Sequence, residues 1–198
     1  MIRIHDYQRL IIGYHGCDEE TCDRVISGKS KLGASKNDYD WLGNGMYFWE
    51  HGPQRARAWA QEQKRRGRFE KPAVLGAVLH LGQCFDLLDA EYTEVLTKAY
   101  PQFCESLKST GKTVPKNEQL HEKDEDKILR KLDCAVINWT LEQLESETRT
   151  RFHSVRGVFQ EGGPVYPGSD IQRRSHIQIA VRDAGCILGY FLPNSRSE

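Results

Sequence analysis

The sequence carries no net charge: 28 Lys and Arg residues balance 28 Asp and Glu. A chain that coats nucleic acid by bulk charge is thereby excluded, leaving only a local basic patch to consider. Long hydrophobic runs are missing too. Nothing approaches the ~18 consecutive apolar residues of a membrane span. The opening MIRIHDYQRLIIGYHG lacks the charged segment, apolar run and small-residue cleavage site of an export signal. The expectation is a cytoplasmic protein with no membrane partner. The six cysteines, Cys17, Cys22, Cys84, Cys104, Cys134 and Cys186, include no C-x-x-C pair. Cys17 and Cys22 have no neighbouring His or second pair to complete a tetrahedral site. Free thiols and no metal are expected, since a chain of this size builds its own core without disulfides. No internal repeat is present.

What the sequence does contain is the composition of a globular domain. Its 198 residues, 38% hydrophobic and 28% charged, suit a single domain over residues 1–198. Such a domain buries roughly 70% of the surface its unfolded chain exposes. Residues 10–15, LIIGYH, read as a short buried strand ending at a polar site. Residues 18–29 read as a helix capped by Asp18 or the acids after it, with Val25 and Ile26 on its apolar side and Gly28 at its end. Residues 30–45 are rich in Gly, Asn, Asp, Ser and Lys and form a loop that lies over something.

Residues 46–49 are a strand. Gly52-Pro53 breaks it and Pro53 suits the first turn of a helix over 54–68, with Ala56, Trp59, Ala60 and Gln63 on one side. Residues 72–88 give one or two strands with Gly82 as a bulge or turn, and 91–107 a helix. Residues 108–127 are the most polar stretch, a candidate mobile loop. Residues 128–144 read as a helix with the stripe Ile128, Leu129, Leu132, Ala135, Val136 and Trp139. A strand over 155–159, a turn-rich loop over 161–170, an alternating strand over 175–182 and a last strand over 186–192 complete the chain. Helices and strands mixed without strict βαβ alternation indicate the α+β class.

Three places carry chemistry. Tyr14-His15-Gly16 ends the first strand. There His15 offers a donor and an acceptor and Gly16 admits a ligand to the backbone, or His15 is simply a structural histidine. The run Asp40 to Glu50, DWLGNGMYFWE, is either a core strand with a tight entry turn or a stacking wall for a planar ligand. In the late strand Ile177, Ile179 and Val181 alternate with His176, Gln178, Ala180 and Arg182, so a polar face opposes a core face.

Taken together, YHG on a first strand, GNGMYF on the next, and a late loop leading into a polar-faced strand resemble the ADP-ribosyltransferase fold of diphtheria toxin and the poly(ADP-ribose) polymerases. The resemblance spans residues 10–192, with 84–150 as a family-variable helical insertion. It implies an α+β fold of split antiparallel β-sheets forming an NAD cleft flanked by helices, with NAD as co-substrate. By the same likeness His15 bonds the hydroxyl of the adenine-side ribose and Gly16 offers its peptide groups to the nicotinamide carboxamide. Tyr47 stacks on the nicotinamide ring, residues 36–45, ending at Gly45, lie near the dinucleotide, and residues 158–174 face the acceptor.

Two departures from the family pattern matter. The family's third residue is a Glu, and here I-Q-I-A-V-R-D puts Gln178 in its place. A Gln orients ribose hydroxyls but carries no charge, so it stabilises an oxocarbenium less well and is no base. This argues against chain elongation and leaves a single transfer, with Glu161 as the candidate replacement carboxylate or else a solvated loop acid. In the next helix Arg55 stands where polymerases have a Ser, and Ala58 where they have a second Tyr. Trp59 then supplies a second stacking surface or is plain core, and Arg55 suits a phosphate of NAD.

The implied activity is NAD-dependent mono-ADP-ribosylation of a macromolecular acceptor, protein or RNA. By analogy the chain would be a bacterial toxin of a defence or toxin–antitoxin system, with an antitoxin protein as partner. The alternatives are an NAD glycohydrolase or RNA phosphotransferase of the same fold, or a non-catalytic module that binds NAD or ADP-ribose. Residues 54–71 hold seven basic residues against Glu62 and Glu70. They form either a path for a nucleic acid backbone or a solvated face balanced by the acids of 118–126.

Overall fold

The computed structural model describes residues 6–120 and 126–194. Strand β1 (Asp6–Asp18) is longer than its apolar run because it lies antiparallel to β3 (Pro72–Asp86) over most of its length. Ladder pairing, not hydrophobicity, keeps its ends extended. Between them come α1 (Glu19–Ile26), β2 (Met46–Glu50) and α2 (Pro53–Arg65). Asp18 caps α1 by accepting from the Glu20 N–H, and Cys22 and Val25 form its buried side. Helix α2 opens at Pro53 as expected and stops at Arg65, three residues short of expectation. The reason is Gly67 (φ 70°), whose left-handed turn lets the N–H groups of Gly67 and Arg68 close on the carbonyls of Lys64 and Gln63.

After β3 come α3 (Ala90–Ser109) and α4 (Lys131–Thr148). Helix α4 excludes Ile128 and Leu129, which the apolar periodicity places inside it. Leu129 instead pairs with Glu118 in an isolated bridge, and the Asn117 side chain accepts from the N–H groups of Leu132 and Asp133 at the new helix start. Of the polar stretch 108–127, residues 121–125 lie outside the described residues. The chain finishes with β4 (Ser154–Phe159), β5 (His176–Val181), a single 3₁₀ turn at Ala184–Cys186, and β6 (Ile187–Phe191).

Six strands form one sheet in the order β1-β2-β5-β4-β3-β6, with β3 also beside β1, so the pairing returns on itself. The sheet is mixed: β3 and β4 run parallel and the other pairs antiparallel. The class is α+β. Two apolar clusters fill the fold. One holds Ile11, Phe48, Leu75, Leu79, Ile179 and Val181 beneath α1. The other joins Leu42, Phe85, Phe152, Val155 and Ala180 to Tyr92 of α3 and Ile137 and Leu141 of α4. Alternation along β5 sends Ile179 and Val181 to the first cluster and Ala180 to the second.

The strand ends are fixed by a buried ion cluster. Arg156 of β4 donates from Nε to Glu50 at the end of β2 (2.6 Å) and from an Nη to Asp86 at the end of β3 (3.0 Å). Five of the six cysteines are buried, and burial pushes the thiols of Cys17 and Cys84 up to about 12.

Candidate active site

Register decides which side chains meet. Tyr47 pairs with Ala180 and Trp49 with Gln178, while across β5 Gly157 pairs with Gln178 and Phe159 with His176. Directly paired residues share a face. Tyr47, Trp49, Phe159, His176 and Gln178 therefore stand together, opposite the core face of Phe48 and Ile179. Helix α2 and residues 33–45 wall in this face, and His15 and Gly16 come from β1. The result is a cavity of 510 Å³ whose lining also includes Trp41, Gly45, Arg55, Trp59 and Glu161. Its size suits a nucleotide-sized ligand. The sequence-derived site residues His15, Gly16, Gly45, Tyr47, Arg55, Trp59, Glu161 and Gln178 all line it.

His15 sits where β1 and β2 part. Their ladder covers Gly13 and Tyr14, and beyond it the imidazole bridges the gap, Nδ1 donating to the Tyr47 carbonyl at 2.7 Å. A carbonyl only accepts, so Nδ1 carries the hydrogen and Nε2 of the neutral ring is left as an acceptor. Burial holds the His15 pKa below 6.5. The Tyr47 hydroxyl is fully employed within the fold: it donates to the Gly43 carbonyl (2.8 Å) and accepts from the Leu42 N–H (2.9 Å). Burial lifts its pKa well above 10.0. The ring is thus a fixed surface and not a titrating group.

Gly16 packs tightly against α2. A Cβ there would lie 2.6 Å from the Ala56 carbonyl oxygen and 3.0 Å from the Trp59 ring, so the close approach the glycine permits is to α2. Its strand edge toward β2 lies outside the β1–β2 ladder. At Gly45 likewise a Cβ would stand 3.1 Å from the Ala180 backbone, so the glycine lets the entry to β2 pack closely against β5.

Gln178 is partly committed. The Trp41 indole N–H donates to its Oε1 at 2.5 Å. Since that N–H is a donor only, the amide nitrogen of Gln178 keeps both hydrogens for another partner. Trp41 reaches it across Gly157, where a Cβ would stand 2.7 Å from the indole. Glu161 is buried, 8% exposed, and ion-paired with Arg55; it is not a solvated loop acid. Burial raises its pKa above 4.5 against the opposing pull of Arg55 and Arg174. The Arg55 Nε is buried without a hydrogen-bond partner among the described residues. Trp59 is 38% exposed, its ring 5.9 Å from that of Trp49 and 5.7 Å from that of Phe69.

Three lining residues stand out beyond those expected to act. Trp41 and Trp49 are visible in the sequence only as an aromatic run. His176 is visible as part of the polar face; its Nδ1 donates to the Arg174 carbonyl (2.6 Å), its ring stacks on Phe159, and burial lowers its pKa to about 4. Arg182, on the same expected face, lies elsewhere. It pairs with Glu145 of α4 and donates to the Phe152 carbonyl. Among the described residues, no group of three or more His, Cys, Asp or Glu is placed to hold a metal ion, and no helix is long and apolar enough to cross a membrane.

No family model matches the chain, and no solved structure matches it. It is similar to an uncharacterised protein of Methanocaldococcus jannaschii, 26% identical over 159 residues, which cover 77% of this chain and 66% of that protein. The chain thus spans just under two thirds of that relative's length.

Proposed function

We propose that the protein is an NAD-dependent mono-ADP-ribosyltransferase, similar in its site to the diphtheria toxin and poly(ADP-ribose) polymerase family though its strands form one mixed sheet and not split antiparallel sheets, acting on a macromolecular acceptor. The observation that carries this reading is the convergence of His15, Tyr47 and Gln178, from three separate strands, on one cavity beside α2. The parting of β1 and β2 after Tyr14 supports it further, because it leaves a strand edge beside His15 for a ligand's carboxamide. A toxin role, with a neutralising antitoxin, rests on the analogy alone.

Each residue then has a defined task. Neutral His15 accepts a hydrogen bond from a ribose hydroxyl at Nε2. The Tyr47 ring, held by its own hydroxyl, stacks on the nicotinamide. The free amide hydrogens of Gln178 bond a ribose oxygen. The bond between the ribose C1 and the nicotinamide nitrogen breaks, and its electron pair leaves with neutral nicotinamide. An acceptor oxygen or nitrogen then bonds to C1 from the opposite face. Its proton passes to the Glu161 carboxylate, whose elevated proton affinity suits a base better than an exposed acid would. Positioning and fixed dipoles supply most of the acceleration.

The test is incubation with adenylate-labelled NAD in a cell extract divided into nuclease-treated, protease-treated and untreated portions. Released nicotinamide and label on a macromolecule are expected; intact NAD in every portion overturns the reading. Gln178→Glu restores a charge beside the developing cation and should raise nicotinamide release about tenfold or more. A second reading, a module that binds NAD without turnover, is favoured by one observation: Trp41 already occupies the Gln178 oxygen. Calorimetric NAD binding with no nicotinamide release would select it.

A further inference from the structure

We infer that the acceptor is a single-stranded nucleic acid, held along the rim of this cavity; the inference rests on the transferase reading above. Its basis is the alternation of guanidinium groups with exposed rings. On α2 the cavity-facing side carries Arg55 and Trp59, and the helix's C-cap and the turn after it add Arg66, Arg68 and Phe69. Trp59 and Arg66 are two turns apart, about 10 Å along the axis. The loop that brings Glu161 into the cavity folds back on itself, the Arg174 N–H bonding the Glu161 carbonyl and the Arg173 N–H that of Gly163. The exposed Arg173 and Arg174 therefore stand beside Glu161, and the same loop presents Tyr166, 59% exposed.

Of the acids of 118–126, the two among the described residues, Glu118 and Asp126, form no ion pair with this rim. Among the described residues, Glu118 pairs with Lys131, and Asp126 accepts from the Gly162 N–H. Glu62 takes Arg65 and Arg66, while Arg68, Arg173 and Arg174 form no ion pair among the described residues. Arg68 at the cavity, and Arg173 and Arg174 on the loop that brings Glu161 into it, are therefore three guanidinium groups without a carboxylate partner among the described residues, beside a site where NAD brings two phosphates. Arg55, beside Glu161, suits the dinucleotide; the outer ones are surplus to it. An acidic peptide would satisfy those cations but leave Trp59, Phe69 and Tyr166 without a role. A single strand uses both, with phosphates on Arg and bases stacked on rings.

The experiment measures anisotropy of short fluorescent single-stranded RNA and DNA with the intact protein, without NAD, while nicotinamide release is followed in parallel samples. For three phosphate contacts, binding should weaken roughly twentyfold between about 50 and 200 mM salt. Arg173→Ala with Arg174→Ala should lower the slope of log affinity against log salt by about 1.4. Tyr166→Ala should weaken binding about tenfold with the slope unchanged. Thermal melts verify that these exposed-site variants fold. Absence of binding to either oligonucleotide at low salt overturns the inference, as does label found on protein in the nuclease-treated extract; the latter leaves the transferase reading intact. Binding with the stated slope but no nicotinamide release in any portion sinks the transferase reading and upholds the surface.

Discussion

His176 shows how burial turns one side chain into a pH-dependent element. Its pKa is lowered from 6.5 to about 4, with desolvation as the main cause and Arg55 adding to it. The unfolded imidazole therefore binds a proton near pH 6.5 and the folded one does not until about pH 4. Acid thus favours the unfolded state, and stability falls as pH drops through that window, by about 3 kcal/mol from this group. Urea unfolding of the native protein and His176→Gln at pH 7 and pH 4.5 should show a smaller acid loss in the variant. Tyr47 separates ring from hydroxyl. Tyr47→Phe keeps the stacking surface but leaves the Leu42 N–H and Gly43 carbonyl unpaired, costing about 1–3 kcal/mol of stability. Tyr47→Ala removes the ring as well, so nicotinamide release should fall far more in the Ala variant than in the Phe variant.

Elements meet at Arg156, which ties the ends of β2, β3 and β4 through Glu50 and Asp86. Its side chain is 10% exposed. Arg156→Ala leaves the buried Asp86 and the partly buried Glu50 without their cation, so chemical denaturation should report a loss of about 3–5 kcal/mol. Sequence reading located most elements because their signals are local. The cap at Asp18, the break at Gly52-Pro53 and the alternation of residues 176–181 each act within a few residues. It misplaced the start of α4 because a bridge between Leu129 and Glu118, itself a tertiary pairing, competes with an apolar stripe that continues through Ile128. The Arg156 cluster had no local signal, since its partners are 106 and 70 residues away.

Across the whole molecule, burial governs thiol chemistry. Cys17, Cys22, Cys84, Cys134 and Cys186 are buried and Cys104 is partly exposed. Titration of the native protein with a thiol reagent at pH 8 should therefore modify Cys104 first and alone on the fast timescale. All six should react after unfolding in urea. Rapid modification of Cys17 in the native protein would contradict its placement beneath α1, beside Cys22 in the first core cluster.

By itself the sequence determined the α+β class, the two motifs around His15 and Tyr47, and the face of β5 that carries Gln178. Alternation and turn chemistry are properties of neighbouring residues and need no knowledge of the rest of the chain. Only the tertiary structure decided what those residues touch. Glu161, legible as a solvated loop acid or as a candidate carboxylate, is buried against Arg55, 106 residues away. Gly16 accommodates a helix, and Gln178 gives its oxygen to Trp41 at a separation of 137 residues. Desolvation and hydrogen bonding depend on which distant elements close over a side chain, and that closure is set by packing of the sheet, α2 and the loop before β2 together.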